Sequence, residues 1–257
     1  MHTSRDLRQR KRRGNSRYYL FFAFSLFACL GVIGGIFYAF RHLSIFELQS
    51  ISVHGNTAVP DSLLLQKTQK YLGQNLFQIS KKSIRQDLQS FSRVKDAKIK
   101  KHLLDKLSIQ IIERSGMLYV KSFEGNLFPI DEDGIVLSKY GKVYKEDLPI
   151  FSSYYPDASF KAGSKLDKED IARICKLHKR IVKEAPEYLN IISEYYMVDN
   201  TIHIIDARFG TCIIPSENDL AKQFKRYQFV QDNGNIGRRS TVDLRFENQV
   251  VVKAGEK

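Results

Sequence analysis

The chain has 257 residues, 43% of them hydrophobic, so it is long enough for one to three domains and too apolar to be mainly disordered. Its formal net charge of +13 is unevenly placed. Residues 1–17 contain seven Arg or Lys and one Asp, so this tail carries +6 and the remaining residues share +7. A basic tail alone would fit nucleic-acid binding, but the segment after it indicates a membrane.

That segment, Tyr18 to Phe40 (YYLFFAFSLFACLGVIGGIFYAF), has 23 residues and no charge. As a helix rising ~1.5 Å per residue it would span about 34 Å, enough for a hydrocarbon core of ~30 Å. A cleaved signal peptide would have a shorter apolar stretch, and Ala39-Phe40-Arg41 is a poor cleavage site. We therefore predict an uncleaved transmembrane helix over 18–40, with the basic tail in the cytoplasm and the bulk of the chain outside it.

Residues 46–115 predict a small two-layer unit in which two helices cover one face of a three-stranded sheet. The expected elements are, in order, strand 46–54, helices 62–72 and 81–91, and strands 94–101 and 106–114. Ser80 is expected to cap the second helix, and residues 103–105 to form the last turn. Four lysines, Lys98, Lys100, Lys101 and Lys106, make the final hairpin basic, either as a solvated face or as a docking surface for an anionic partner.

Residues 116–253 are richer in strands and predict a mixed, β-rich domain with two helices, which makes the whole fold α+β. The expected strands are 117–123, 127–130, 135–137, 191–198, 201–206, 211–214, 241–246 and 250–252, and the helices 167–183 and 217–231. Residues 139–165 are interpreted as irregular. Asp167 and Ser216, each with an Asp three residues later, are expected to cap the two helices.

Residue types that carry chemistry are scarce. The histidines are scattered, and none has a His, Cys or carboxylate at metal-ligand spacing. His102, His178 and His203 are interpreted as surface or structural side chains, and Asp131-Glu132-Asp133 as a turn. Nucleophile-elbow and dinucleotide-binding motifs do not occur. Cys175 and Cys212 are either a disulfide or, as we favour, two buried free thiols. We therefore expect no enzyme, cofactor or metal.

Several short motifs occur in a characteristic order. They are Ile51-Ser-Val-His-Gly-Asn56, Gly73-Gln-Asn-Leu-Phe77, Val94-Lys-Asp-Ala97, Leu107-Ser-Ile-Gln-Ile-Ile-Glu-Arg114, Asp133-Gly134, Leu148-Pro149 and Val242-Asp-Leu-Arg245. This series resembles the bacterial cell division proteins FtsQ and DivIB. The resemblance implies a polypeptide-transport-associated (POTRA) domain over 46–115, an FtsQ-type β domain over 116–253 and a short tail over 254–257.

The resemblance also implies a non-enzymatic scaffold of the division complex, located at the septum in the cytoplasmic membrane. Such proteins recruit partners of the FtsB and FtsL type, and the POTRA domain is a further surface for other division proteins. A second class is a POTRA-containing chaperone or receptor of an export or outer-membrane assembly system. Those units usually occur in tandem or beside a barrel, whereas this chain has one unit and too little length for a barrel, so the scaffold is favoured.

The hairpin STVDLRFENQVVVK, residues 240–253, suggests how a partner would bind. An edge strand exposes unpaired N–H and C=O groups, to which a partner segment can add as a further strand. Which of its two strands is the edge stays open. Phe246 is either a partner contact or a core side chain shared with Val242 and Leu244. The candidate partner-binding residues are Arg245, Phe246, Asn248, Gln249, Val251 and Lys253 of the hairpin and Lys222, Lys225 and Arg226 of the preceding helix.

Overall fold

A computed structural model describes residues 4–102, 105–140, 147–234, 236–247 and 249–255. The chain opens with helix α1, Ser4–His42. Its apolar part, Tyr18–Tyr38, has 21 residues, is long enough to cross a membrane and has exposed side chains throughout. Unlike a core helix, α1 therefore has an apolar surface that the folded units do not cover, as a membrane anchor would.

The first folded unit contains the elements expected for it. They are β1 Ser50–His54, α2 Asp61–Thr68, α3 Lys81–Gln89, β2 Val94–His102 and β3 Lys106–Glu113. The sheet order is β1-β3-β2, with β1 parallel and β2 antiparallel to the central β3. The first strand begins at Ser50 rather than at residue 46, because Ser44–Phe46 forms a 3-10 turn. Of the expected turn, Leu103 and Leu104 lie outside the described residues.

The core of this unit lies between its helices and its sheet. Leu64 of α2 and Ile84 of α3 are fully buried, together with Ile109 of β3. Ser80 caps α3 as expected, because its hydroxyl accepts a hydrogen bond from the Ser83 N–H at 3.3 Å. The alternating apolar residues of β3 thus fix which face of the sheet the helices cover.

The second folded unit is a mixed eight-stranded sheet with two helices. Its elements are β4 Leu118–Lys121, β5 Leu127–Ile130, β6 Ile150–Ser152, α4 Glu169–Glu184, β7 Ile192–Val198, β8 Thr201–Asp206, β9 Cys212–Ile214, α5 Leu220–Asn233, β10 Thr241–Asp243 and β11 Val251–Lys253. The sheet order is β11-β10-β9-β8-β7-β6-β4-β5. A second core, separate from the first, contains Ile174 of α4, Phe224 of α5 and Tyr195 of β7.

The main correction concerns the segment 139–165, which we expected to be irregular. Its residues 150–152 form β6, which lies inside the sheet and pairs in parallel with both β4 and β7. Three residues are too few to show an alternating pattern, and both partners are distant in sequence, so only the folded sheet reveals this strand. Residues 135–137, expected as a strand, make only isolated bridges. Residues 141–146 lie outside the described residues.

The two helix caps of this unit also differ from expectation. Helix α4 begins after Lys168, and no side chain caps it; Asp170 instead accepts from the Tyr155 hydroxyl at 2.9 Å. Helix α5 begins after Asp219, whose carboxylate accepts from the Lys222 N–H at 3.1 Å. Two polar residues three positions apart both suit a helix start, and tertiary contacts decide whether either of them acts as the cap.

The two units meet at an ion pair. The Arg114 guanidinium, next after β3, lies 2.5 Å from the carboxylate of Asp131, and both side chains are largely buried. The other carboxylate oxygen of Asp131 accepts from the N–H groups of Asp133 and Ile135, at 2.9 and 2.8 Å. The interpretation of residues 131–133 as a turn is therefore confirmed, and the same turn holds the first unit against the second.

Glu113, the neighbour of Arg114, closes the loop between β1 and α2. Its carboxylate accepts from the N–H groups of Thr57, Ala58 and Val59 at 2.8–2.9 Å and from the Thr57 hydroxyl at 2.8 Å. Burial opposes ionisation, but these donors outweigh it and hold the pKa of Glu113 below its usual range. The Glu-Arg pair at the end of β3 thus has two structural roles, one for each residue.

We predict that Glu113→Gln lowers the free energy of unfolding by about 1–3 kcal/mol at neutral pH, because hydrogen bonds to a charged acceptor are lost and an amide NH₂ faces N–H donors. The lowered pKa means that this stabilisation is present at neutral pH and is lost as pH falls through that pKa. Thermal unfolding of residues 46–255 should therefore show a difference that narrows in acid. Glu187→Gln, at an exposed position, is the control; an equal loss there would contradict the prediction.

Candidate partner-binding site

Strand β11 is the edge of the large sheet. It pairs on one side with β10, in the register Thr241↔Lys253, Val242↔Val252 and Asp243↔Val251. On the other side no described strand follows it. All three of its residues are exposed. The question of which hairpin strand is the edge is thereby answered, since β10 lies inside, between β9 and β11.

The hydrogen bonds of β10 show which backbone groups of β11 are free. Toward β9, the Ser240 carbonyl accepts from Cys212 and the Leu244 N–H donates to Ile214, at 2.8 and 2.9 Å. Residues 240, 242 and 244 thus face β9, and 241 and 243 face β11. In an antiparallel pair such facing residues exchange their hydrogen bonds. Val251 and Lys253 are therefore paired with β10, and the N–H and C=O of Val252 point outward.

Phe246 lies outside both buried cores and is 45% exposed. The interpretation of Phe246 as a core side chain is wrong. Val242 and Leu244 are buried as expected, but β10 ends at Asp243 and the chain then bends, so the alternation does not extend to residue 246. The ring is left at the surface of the connection between β10 and β11.

Arg226 of α5 holds this connection in place. Its guanidinium donates to the carbonyl oxygens of Phe246 and Glu247 at 2.7 and 2.6 Å and to that of Leu244 at 3.0 Å. The planar fork of an Arg side chain suits several acceptors at once. This contact brings the basic helix and the hairpin together, and it gives Arg226 a positioning role within the chain.

Arg245 is likewise bound within the chain. Its guanidinium forms a two-pronged contact with Asp243, at 2.9 and 2.6 Å, and the hydrogen bonds from Arg245 keep the pKa of Asp243 below its usual range. The Arg245 side chain is still about half exposed. A partner acid would therefore compete with Asp243 for this cation.

A hollow of about 480 Å³ lies between α5 and the hairpin, beside β11. Its apolar lining includes Phe229, Val230 and Val250, and Lys222 and Lys225 lie at the same hollow. Gln249 contributes a polar side chain, while Asn248 lies outside the described residues. The arrangement suits an apolar residue that carries an acidic neighbour.

The structure thus brings most of the expected residues into one area and divides their tasks. Lys222, Lys225 and Gln249 border the hollow, Val251 and Lys253 lie on the edge strand, and Arg226 and Arg245 make internal contacts. Sequence reasoning missed Phe229, which is 68% exposed, and the free backbone of Val252. The position of Phe229, an aromatic residue on the polar side of α5, was a signal in the sequence. The outward backbone of Val252 can be recognised only from the strand pairing.

The two cysteines outside α1 do not form an activated nucleophile. Cys175 and Cys212 are free and buried, so the interpretation as free thiols is confirmed. Cys212 Sγ lies 3.2 Å from Nδ1 of His203 and 3.1 Å from the Tyr196 hydroxyl. Burial raises the pKa of the Cys212 thiol and lowers the pKa of His203, which favours neutral forms of both. An activated thiolate would need the opposite shift of the thiol pKa.

The other histidines give no catalytic arrangement either. His178 is buried in α4, where its Nδ1 lies 2.8 Å from the Tyr195 hydroxyl, and burial lowers its pKa. His102 is exposed at the end of β2. In the part of the chain that the structure describes, no three His, Cys, Asp or Glu side chains are placed to hold a metal ion.

Comparison with known proteins adds two findings. Residues 46–114 match the family model described as POTRA domain, FtsQ-type, a range that covers the first folded unit. Relatives named cell division protein DivIB match about half of the chain. The protein of Clostridium botulinum strain Hall is 28% identical over 125 residues, 49% of this chain and 48% of its own length.

A second relative of that name, from the Loch Maree strain, is 27% identical over the same shares of both chains. The Clostridium acetobutylicum protein is 25% identical over 95 residues, 37% of this chain and 38% of its own length. The chain therefore spans about half the length of the curated relatives it matches.

We predict that Arg226→Ala loosens the hairpin without unfolding the unit. Loss of hydrogen bonds from a charged donor should lower the free energy of local opening of the hairpin by about 1–2 kcal/mol. Amide exchange over residues 244–253 should therefore become roughly tenfold faster. Hydrogen–deuterium exchange with mass spectrometry measures this directly. Lys225→Ala, at an exposed position on the same helix, should leave exchange there unchanged; equal effects of the two variants would show that the Arg226 contacts are unimportant.

Proposed function

We propose that the chain is a member of the FtsQ/DivIB family of bacterial cell division proteins and a non-enzymatic scaffold of the division complex; the POTRA match and the DivIB relatives support this. The observation that carries this proposal is the free edge of β11 beside an apolar hollow with two lysines. A scaffold needs a surface that recognises another chain, and this surface needs no reactive group.

The arrangement we propose is a single-pass membrane protein at the septum. Helix α1 crosses the cytoplasmic membrane, the basic residues 1–17 stay inside, and the two folded units, 46–115 and 116–253, lie outside. The charge asymmetry around α1 supports this orientation, since cytoplasmic flanks carry the excess of Lys and Arg. The scaffold then connects division proteins on the two sides of the membrane.

The proposed mechanism of recruitment is strand addition. A partner segment of the FtsB or FtsL type pairs with β11, exchanging hydrogen bonds with the backbone of Val252. Its apolar residues contact Phe246 or enter the hollow at Phe229, and its acidic residues approach Lys222, Lys225 and Lys253. Complementary charge of this kind mainly accelerates association and excludes wrong partners.

The size of the edge indicates that backbone pairing alone is not enough. A net ~1 kcal/mol per hydrogen bond, for the outward N–H and C=O of Val252, gives about 2 kcal/mol, whereas a dissociation constant of 1 μM corresponds to about 8 kcal/mol. The remainder must come from apolar burial. A filled hollow at Phe229 and Val250 is the available source.

We predict that Val252→Pro weakens binding of FtsB and FtsL ectodomains by at least about tenfold, because it removes the outward N–H and disturbs the free edge. Titration calorimetry with the detergent-solubilised full chain measures the affinity. Val252→Ala keeps the N–H and removes most of the side chain, so it should bind far better than the proline variant. Equal binding by Val252→Pro and wild type, with an intact thermal unfolding transition, would refute strand addition at β11.

Cellular position separates the scaffold from a transport-associated receptor. We predict that a fluorescent protein fused before residue 1, which the proposed orientation places in the cytoplasm, collects at mid-cell in dividing cells. The Val252→Pro chain is the matched comparison and should accumulate there less, because its recruiting edge is impaired. A uniform envelope signal from the full chain would contradict the division role and favour the receptor.

A further inference from the structure

Three phenylalanine rings join the end of α1 to the first folded unit. Phe40 of α1 lies 5.1 Å from Phe46 and 5.7 Å from Phe77, and Phe46 lies 5.1 Å from Phe77, measured between ring centroids. Phe77 belongs to the connector between α2 and α3, residues 75–78. Ring pairs at these distances are favourable beyond their burial, so the cluster fixes the connector against the helix.

The same connector satisfies carbonyl groups at the end of α1. The side-chain amide of Asn75 donates to the Phe40 carbonyl at 3.1 Å, and that of Gln78 to the Arg41 carbonyl at 3.0 Å. The last carbonyls of a helix lack partners within the helix. Polar and aromatic contacts thus both hold residues 75–78 beside the point where the apolar helix ends.

Although it is clustered, Phe77 remains 50% exposed. It borders a hollow of about 480 Å³ that is lined on the α1 side by Ile36, Phe37, Phe40 and Arg41. Leu43 and Ile45, which follow α1, are also about half exposed. The exposed apolar surface of the helix therefore reaches the folded unit at Phe77.

Basic side chains lie at the border of this surface. Arg41 lines the hollow itself. The Lys101 ammonium donates to the carbonyl of Ile79, next to the connector, at 2.6 Å. Burial, and to a smaller extent the charge of Lys81, lower the pKa of Lys101. An apolar patch with cations at its rim is complementary to lipid, which offers acyl chains and phosphates together.

We propose that residues 75–78 of the first folded unit contact the phospholipid interface of the membrane that α1 enters, with Phe77 at the boundary between headgroups and acyl chains. Continuity with the span identifies lipid as the occupant: Phe77 packs on Phe40, two residues or ~3 Å beyond the apolar limit at Tyr38. The interfacial layer is about 5–7 Å thick on each side, so the helix position that Phe77 contacts lies within it. The proposal rests on α1 being a membrane anchor.

This contact would set the tilt of the first unit against the membrane. A single flexible link between α1 and the first unit would allow any tilt of that unit. The covalent link to α1, the two amide contacts and the ring in the lipid interface together allow only one tilt. Phenylalanine is among the apolar residues that interface-bound segments bury at the boundary between headgroups and acyl chains.

The chain contains no tryptophan, so Phe77→Trp introduces a unique fluorophore. We would reconstitute the full-length variant into phosphatidylcholine–phosphatidylglycerol vesicles, with and without acyl-brominated lipid. Two matched variants complete the set: Phe27→Trp inside the apolar part of α1, and Phe123→Trp in the turn between β4 and β5, both 74% exposed in the wild type. Circular dichroism verifies that each variant is folded.

We expect a blue-shifted emission from Phe77→Trp and a loss of intensity to brominated lipid that lies between those of Phe27→Trp and Phe123→Trp. Strong quenching at position 27 with none at 77 would overturn the lipid contact and leave the anchor intact. A blue shift at 77 without quenching would place the ring against protein and would also overturn it. Absence of quenching at 27 would refute the anchor, and with it the proposed membrane scaffold.

Discussion

The ion pair between Arg114 and Asp131 is the buried charge contact between the two units, and the hydrogen bond from Arg93 to the Ser138 carbonyl at 2.8 Å supports it. Asp131 is nearly inaccessible, so removing Arg114 would leave a buried charge unpaired, at a cost of about 3–5 kcal/mol. Its neighbour Glu113 simultaneously organises the loop before α2. Glu113 and Arg114, at the end of β3, thus connect two parts of the molecule. Glu113 stabilises the first unit, which follows α1, and Arg114 holds that unit against the second sheet.

The free edge at β11 can bind a partner strand, and it can also pair unspecifically. An exposed strand invites pairing with any extended chain, including a second copy of itself. Here the strand is short, Lys253 adds charge, and Arg226 ties the preceding connection to α5. These features limit unspecific pairing. The adjoining hollow favours partners whose apolar and acidic side chains are complementary to it.

The sequence predicts those elements in which a hydrophobic periodicity extends over many consecutive residues. The β2–β3 hairpin and the apolar face of α4 show clear periodicity, and both were predicted within two residues. Strand β6 was not, because its pairing partners lie far away in the chain and three residues carry no period. At the candidate site, residue types identified Lys222 and Lys225. The outward direction of Val252 and the exposure of Phe246 depend on where β10 ends, which tertiary contacts with β9 and Arg226 decide.

Strand β6 has a mechanical consequence. Within the sheet it is the bridge between the β4–β5 hairpin, which follows the first unit, and the strands leading to β11. A pulling force between the anchor and a partner on β11 would act perpendicular to the strands. It would stretch the hydrogen bonds between each neighbouring pair of strands in turn. The ladders with fewest registered pairs, two each, are β6–β7 and β8–β9. Along this path the short internal strands therefore form the ladders with the fewest hydrogen-bonded pairs.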